Sequence, residues 1–356
     1  MPAQSGKSLA RIRSLVGIQE IGLILVVLVL GTVLAGFGGK VRMVEFHKTA
    51  SGDVERVVVE KNKFFNGRNL TQLAKDTSFI AIMAVGATFV IIAGGIDLSV
   101  GATYALASVL SALVFAKGED QVLAGILTCL GIGTLCGLLN GGMIVLLKVH
   151  PFIITLGTMA IYRGVAFVVT KGQSIGGFPE AFRHFVRRES SEGLVSWIVM
   201  VLVMVLGGIY LSRLAAGRRV YAVGGNELAS RFSGINVGRV KLSVFVISGL
   251  TAGIAALLAL GYYGSAHSGD GQGYELNVIA AAVVGGASLS GGKGSALGAL
   301  LGALIIQMIN SGIVILNIDQ NYSQIIIGAV VILAVLFDQL NNWIAKRRLA
   351  ARAVNP

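Results

Sequence analysis

Ten runs of this chain are long and nearly free of charge: residues 21–39, 77–96, 98–116, 121–147, 151–170, 193–212, 242–266, 276–292, 294–318 and 320–337. A helix that crosses a bilayer needs about 20 predominantly apolar residues. The series therefore predicts an all-α integral membrane protein with about ten transmembrane helices in a single domain spanning residues 1–356. Two runs fit least well: 276–292 is short and rich in glycine, and 151–170 carries Arg163. Composition agrees, because 13% of the 356 residues are charged and 54% are hydrophobic. Soluble domains carry about 25% charged residues, so most of this surface must face lipid. The first run is too long for the apolar region of a signal peptide, about 7–15 residues, and reads as an uncleaved first span.

Lysine and arginine in short loops set orientation. Lys7, Arg11 and Arg13 precede the first run. Arg213, Arg218, Arg219, Arg231, Arg239 and Lys241 lie in the 213–241 segment, and Lys346, Arg347, Arg348 and Arg352 close the chain. With ten spans these groups share one side, which is read as cytoplasmic, with both termini there. The long segment 40–75 carries basic residues on the opposite side, but long loops weigh little in topology. Within it, the alternation in Val41–His47 and 54–61, parted by Ser51-Gly52-Asp53, predicts a β-hairpin in an extracytoplasmic loop over 38–70. The net charge of +12 is accounted for by anionic lipid headgroups beside the spans, with no nucleic acid implied. Cys129 and Cys136 stand about 10 Å apart along one helix, too far for a disulfide.

Two short stretches share a pattern, Gly-Gly-x-x-Leu-Ser-x-Gly. One is Gly94-Gly95-Ile96-Asp97-Leu98-Ser99-Val100-Gly101; the other is Gly285-Gly286-Ala287-Ser288-Leu289-Ser290-Gly291-Gly292. Each divides two apolar runs, which reads as an internal repeat of the kind common in transporters. Gly94, Gly95, Gly285 and Gly286 are expected to turn the chain, with Ser99 and Ser290 capping the next helix. Asp97 is read as a cap at a turn outside the hydrocarbon. Glycines at 133, 137 and 141, at 294, 298 and 302, and at 249 and 253 recur every four residues and predict close helix packing.

Catalytic, cofactor and metal motifs are not evident. Gly291-Gly292-Lys293-Gly294 lacks the first glycine and the Ser or Thr of a phosphate loop, Gly6-Lys7-Ser8 fails likewise, and the four histidines are scattered. Polar residues inside spans are costly and informative. Asn140, Thr155, Thr158, Arg163, Gln307 and Asn310 either line a polar path for a hydroxylated solute or join helices by hydrogen bonds; for Arg163 the alternative is snorkelling to an interface. In the 213–241 loop, Asn226 can cap a short helix that ends at Gly234. That helix is either a docking element or a solvated connector.

Three stretches, 93–102, 221–234 and 274–294, with 150–158, resemble the permease subunits of ribose-, xylose-, arabinose- and galactose-type ABC importers, and the likeness runs from about Phe64 to Leu340. The resemblance implies a fold akin to the vitamin B12 importer type in a bacterial inner membrane. It implies a cytoplasmic ATP-binding subunit, a periplasmic sugar-binding protein and a second permease subunit, expected as a homodimer, with no cofactor in this chain and ATP hydrolysis on another. It also implies that Gly224, Gly225, Asn226, Glu227, Ala229, Ser230 and Gly234 couple the chain to the ATPase. Residues 40–61 look like an insertion, and Asn277 stands where the family often has Asp. A branched-chain amino-acid permease is the nearest rival. An ion-coupled sugar transporter would want acidic residues at mid-span, whereas Asp97 and Asp338 lie near span ends. An intramembrane enzyme would need a nucleophile beside a base.

Overall fold

The computed structural model describes residues 18–48, 54–187 and 193–354. The basic residues Lys7, Arg11 and Arg13 and the expected turn Ser51-Gly52-Asp53 lie outside the described residues. Helices α1 (Ile18–Phe37), α2 (Gly67–Ile92), α3 (Val100–Phe115), α4 (Val122–Leu147) and α5 (Pro151–Thr170) form the first half. The short α6 (Glu180–Arg187) is followed by α7 (Leu194–Arg213), α8 (Ala215–Gly225), α9 (Glu227–Phe232), α10 (Val237–Tyr263), α11 (Tyr274–Val284), α12 (Ala296–Ile315) and α13 (Tyr322–Val354). Among these, eight helices are long and apolar enough to cross a membrane: α1, α2, α4, α5, α7, α10, α12 and α13. The chain is a multi-pass, all-α membrane protein.

Two of the ten sequence runs form shorter helices. The run 98–116 yields the 16-residue α3, and 276–292 yields the 11-residue α11. At 1.5 Å per residue α11 extends about 16 Å, roughly half of a 30 Å hydrocarbon core. Glycine ends it early, and the chain from 285 to 295 is a loop tucked into the bundle.

Burial sorts the helices. The apolar window of α2 is 94% buried and that of α13 only 6%. Accordingly α2 is the central post, ringed by α10, α12, α7 and α11, while α1 and α13 lie at the rim. Small-residue stripes set the closest crossing. Gly133 and Gly137 of α4 lie against Gly249, Gly253 and the Phe245 carbonyl of α10, where any added Cβ would strike backbone. Gly298 and Gly302 of α12 pack in the same way on Gly285 and the Ala281 carbonyl of α11. Cross-helix approach of this kind is what small residues allow in lipid, where no hydrophobic drive separates helix from solvent.

Strands β1 (Lys40–Lys48) and β2 (Val54–Asn62) pair antiparallel from Lys40↔Asn62 to Lys48↔Val54. Asn62 fastens the hairpin base to the bundle. Its amide donates to the Ala35 carbonyl of α1 at 2.8 Å, and its Oδ1 accepts from the Phe64 and Phe65 N–H groups. At the same end of the bundle, Ile175 bridges to Ala266, and the Glu180 N–H donates to Glu119.

Candidate functional site

Three polar regions interrupt the apolar bundle. The first is an open cleft of ≈ 600 Å³ at the hairpin end, walled by α2, α11, α12 and α13. Carboxamides are prominent in its lining, Asn69, Gln72, Asn277, Gln307, Asn310 and Gln324 among them, beside the Asp76 carboxylate, the Phe79, Tyr263 and Tyr274 rings and aliphatic side chains such as Ile80 and Val314. Gln307 donates to the Asp76 carbonyl at 3.0 Å, Asn310 donates to Gln307 Oε1 at 2.9 Å, and Ser323 donates to Asn310 Oδ1. Each amide is thus oriented, yet keeps further donor or acceptor capacity.

Behind this wall lies a buried cation. Lys75 is 3% exposed. Its Nζ donates to Gln72 Oε1 at 2.8 Å, stands 3.6 Å from Asp76 Oδ1, and sits 3.8 Å from the Tyr262 ring centroid. A cation over an aromatic face gains from the ring quadrupole, and more when dry. The carboxylate neutralises the remainder. The cleft surface therefore offers neutral donors and acceptors beside the Asp76 carboxylate, with the cation held back from it. Lys75 and Asp76 escape a sequence reading that begins the span at Thr77, because α2 starts ten residues earlier, at Gly67, and carries Lys75 into the bundle.

The second region is closed. Asp97 lies in the break between α2 and α3 and is 4% exposed. Its carboxylate accepts from the Ser99 N–H (3.0 Å), the Ser99 hydroxyl (2.7 Å) and the Ser248 hydroxyl (2.7 Å). Ser248 stands near the midpoint of α10, so the break turns inside the bundle and Asp97 joins it to α10. Asn140 donates to Ser99 Oγ at 2.7 Å and accepts from the Tyr162 hydroxyl at 3.2 Å. Thr155 donates to the Ile96 and Pro151 carbonyls, and Thr158 to the Thr155 carbonyl. Of the pathway candidates, Gln307 and Asn310 reach the open cleft. Asn140, Thr155 and Thr158 do not: all three are buried, Asn140 and Thr155 hold the α2–α3 break to α4 and α5, and Thr158 bonds within α5. Arg163 donates to the Ser268 and Asp270 carbonyls, tying α5 to the loop before α11.

The third region joins the second glycine motif to the end of α2 and to α8. The Gly292 N–H donates to the Ile92 carbonyl at 2.8 Å, joining the second motif to the end of α2. Gly224, at the end of α8, lies against that same carbonyl and against Gly292, and the Tyr221 hydroxyl donates to the Gly294 carbonyl at 2.8 Å. Gly94 and Gly286 adopt positive φ, as turns need, whereas Gly285 keeps helical φ and serves the α12 contact. The expected serine caps differ. Ser99 stands at the N-cap of α3 but makes no side-chain cap bond. Ser290 is exposed and precedes α12 by several residues; Ser295 caps that helix by accepting from the Gly298 N–H.

Next to this junction is α9. Asn226 accepts from the Ala229 N–H at 2.9 Å, Ser230 is buried, and Gly234 at φ 78° closes the turn. Glu227 bonds Arg231 and Lys241, each at 2.7 Å. Hydrogen bonding from Lys241 holds its carboxyl below the ordinary glutamate value, against a smaller opposing effect of burial. Its charge is paired within the chain by Arg231 and Lys241. Space also distinguishes the two glycines: an added Cβ at Gly225 meets nothing within 4 Å, whereas at Gly224 it meets backbone. Leu228 and Phe232, four residues apart on one face of α9, are 64% and 84% exposed. Sequence reasoning passed over this pair because two apolar residues in a charged loop carry no periodic signal. Among the described residues, no group of His, Cys, Asp and Glu is placed to hold a metal.

A bundle of spanning helices with a polar cleft at one end and a glycine-locked loop at the other defines a membrane transport subunit. The model of the family described as branched-chain amino acid transport system / permease component matches residues 69–335, and the chain belongs to that family. The chain is 42% identical to the ribose import permease protein of Bacillus subtilis (strain 168) over 278 residues, 78% of this chain and 86% of that protein. It is 36% identical to the D-allose transport system permease protein of Escherichia coli (strain K12) over 277 residues, 78% and 85% of the two chains. Similarity to an autoinducer 2 import system permease of Escherichia coli O9:H4 (strain HS) is 33% over 285 residues, covering 76% and 86%. No solved structure matches the chain. The β-hairpin lies outside the matched family region.

Proposed function

We propose that this chain is the membrane-spanning permease subunit of an ATP-binding-cassette importer in a bacterial inner membrane, and that it passes a monosaccharide. The cleft carries the reading: carboxamides and hydroxyls offer both donors and acceptors, and ring faces lie between them. That chemistry suits a neutral, many-hydroxyl solute, in which each buried hydroxyl needs a partner. A branched-chain amino acid would instead want a cation for its carboxylate, and Lys75 is spent on Gln72, Asp76 and Tyr262. The ribose and D-allose permeases similar to this chain support the same substrate class.

In this reading all ten apolar helices belong to the membrane domain, in an arrangement of the vitamin B12 importer type, with both termini and α8–α9 cytoplasmic. Two permease copies enclose the path, and a periplasmic binding protein delivers sugar at the cleft end, where the 40–62 hairpin extends its docking surface. A separate ATPase hydrolyses ATP and moves the helices through α9. Its face is Leu228 and Phe232; Gly224 passes the movement to the end of α2 and to the second glycine loop. Uptake of labelled ribose and D-allose by cells carrying the complete importer tests the reading. Replacing Gln307 and Asn310 with Leu should lower uptake at least tenfold at unchanged membrane abundance. Uptake of leucine in place of sugar, or full sugar uptake by the double variant, would overturn it.

A further inference from the structure

A second cleft, of ≈ 560 Å³, opens beside α9 between the end of α4, the start of α5 and the start of α10. Lys148, Arg231 and Lys241 line it, with Glu227 as the one carboxylate in the lining. Glu227 is shared between Arg231 and Lys241, so the set keeps an excess of positive charge. Lys148 is exposed, holds a left-handed conformation at the end of α4, and forms no ion pair among the described residues. His150 also lines the cleft; its Nδ1 accepts from the Phe152 N–H at 3.3 Å, which leaves Nε2 available. Directly next to these groups in the chain, Leu146, Leu147, Phe152 and Ile153 are exposed on the outer face of the bundle. The cations thus sit where two spanning helices end, and the neighbouring apolar side chains sit where those helices meet lipid.

We propose that this cleft binds the phosphate headgroup of an anionic phospholipid, with its acyl chains lying along Leu146, Leu147, Phe152 and Ile153. Basic recesses between helix ends at the membrane surface suit such headgroups. A soluble acidic peptide would gain the charge contacts but leave the apolar shoulder uncovered. The lipid would touch α9 through Arg231 and the α4–α5 turn through Lys148, so that the coupling helix rests on the membrane itself.

The test uses the purified full-length chain in detergent, titrated with phosphatidylglycerol or phosphatidylcholine, with native mass spectrometry counting bound lipid. Phosphatidylglycerol should bind and phosphatidylcholine should not. Lys148→Asn, which suits the left-handed backbone, should weaken binding about fivefold, and adding Arg231→Gln about fivefold again, since each surface cation contributes about 1 kcal/mol. Lys171→Asn is the control: Lys171 has the same backbone conformation at the other end of α5 and should change nothing. Equal binding of both lipids, or equal weakening by Lys171→Asn, would overturn the proposal. Displacement of the lipid by millimolar inorganic phosphate would make this a free-anion site. Displacement by the ATPase subunit would make it a protein interface. Either result refutes the lipid assignment.

Discussion

A methyl group added at Gly224 has no free volume to enter. It would fall 2.7 Å from the Gly292 nitrogen and 2.8 Å from the Ile92 carbonyl carbon, closer still to the Ile92 oxygen. All three are backbone atoms, which cannot rotate aside as a side chain would. Relief requires α8 to draw back from the end of α2 and from the second glycine loop. That movement breaks the Tyr221–Gly294 hydrogen bond, which ties α8 to the loop. Overpacking costs about 1–3 kcal/mol and the lost hydrogen bond about 1 kcal/mol, so Gly224→Ala should destabilise the protein by about 3 kcal/mol. Gly225→Ala is the internal standard. Its Cβ enters open space, and alanine is favoured over glycine in a helix by up to about 1 kcal/mol. Thermal unfolding of the two purified variants in detergent compares them directly. Gly224→Ala should unfold well below the parent and Gly225→Ala at or slightly above it. Equal stability of the two would refute the claim that α8 is locked to the end of α2 and to the second glycine loop, and with it the proposed route from α9 into the membrane.

The exposed pair on α9 gives a second expectation: Leu228→Ser with Phe232→Ser should leave abundance and stability unchanged but uncouple the ATPase from sugar-loaded binding protein, because each buried apolar side chain is worth about 1.5–3 kcal/mol at an interface. Retained stimulation of ATP hydrolysis in reconstituted vesicles would exclude those residues. The Glu227 carboxyl is depressed by Lys241, so its contribution is complete above the ordinary value of 4.5 and is lost as pH falls through the lowered one. The side chain is 40% exposed, which limits the effect to under about 1 kcal/mol; Glu227→Gln should therefore lower stability slightly at neutral pH, and the gap should close in acid. A gap that widened in acid would contradict the sign. Orientation is tested by single cysteines in a background lacking Cys129 and Cys136: an impermeant thiol reagent added outside cells should label Phe65→Cys and spare Ser290→Cys, both positions being exposed. The reverse pattern would invert the topology.

The membrane class was legible in the sequence because lipid imposes a one-dimensional rule: a crossing helix needs about 20 apolar residues whatever surrounds it. Local chemistry was equally readable where its partners lie a few residues away, as in the Asn226 cap on the Ala229 N–H. Glycine spacing announced close packing on α4, α10 and α12, since a stripe of small residues is a property of one helix alone. Tertiary structure decided the rest. Asp97 looked like a surface cap because nothing in its neighbourhood reveals Ser248, 151 positions away. Asn140, Thr155 and Thr158 looked equivalent to Gln307 and Asn310, because a polar residue in an apolar run carries no label for the side it faces. Gly224 and Gly225 are alike in sequence and differ only in what lies opposite. Lys75 could be buried because the fold sets Tyr262 over its Nζ, with Gln72 and Asp76 beside it. Helix formation depends on neighbours in the chain, whereas burial, pairing and cleft lining depend on neighbours in space, and one strand of sequence holds no record of the second kind.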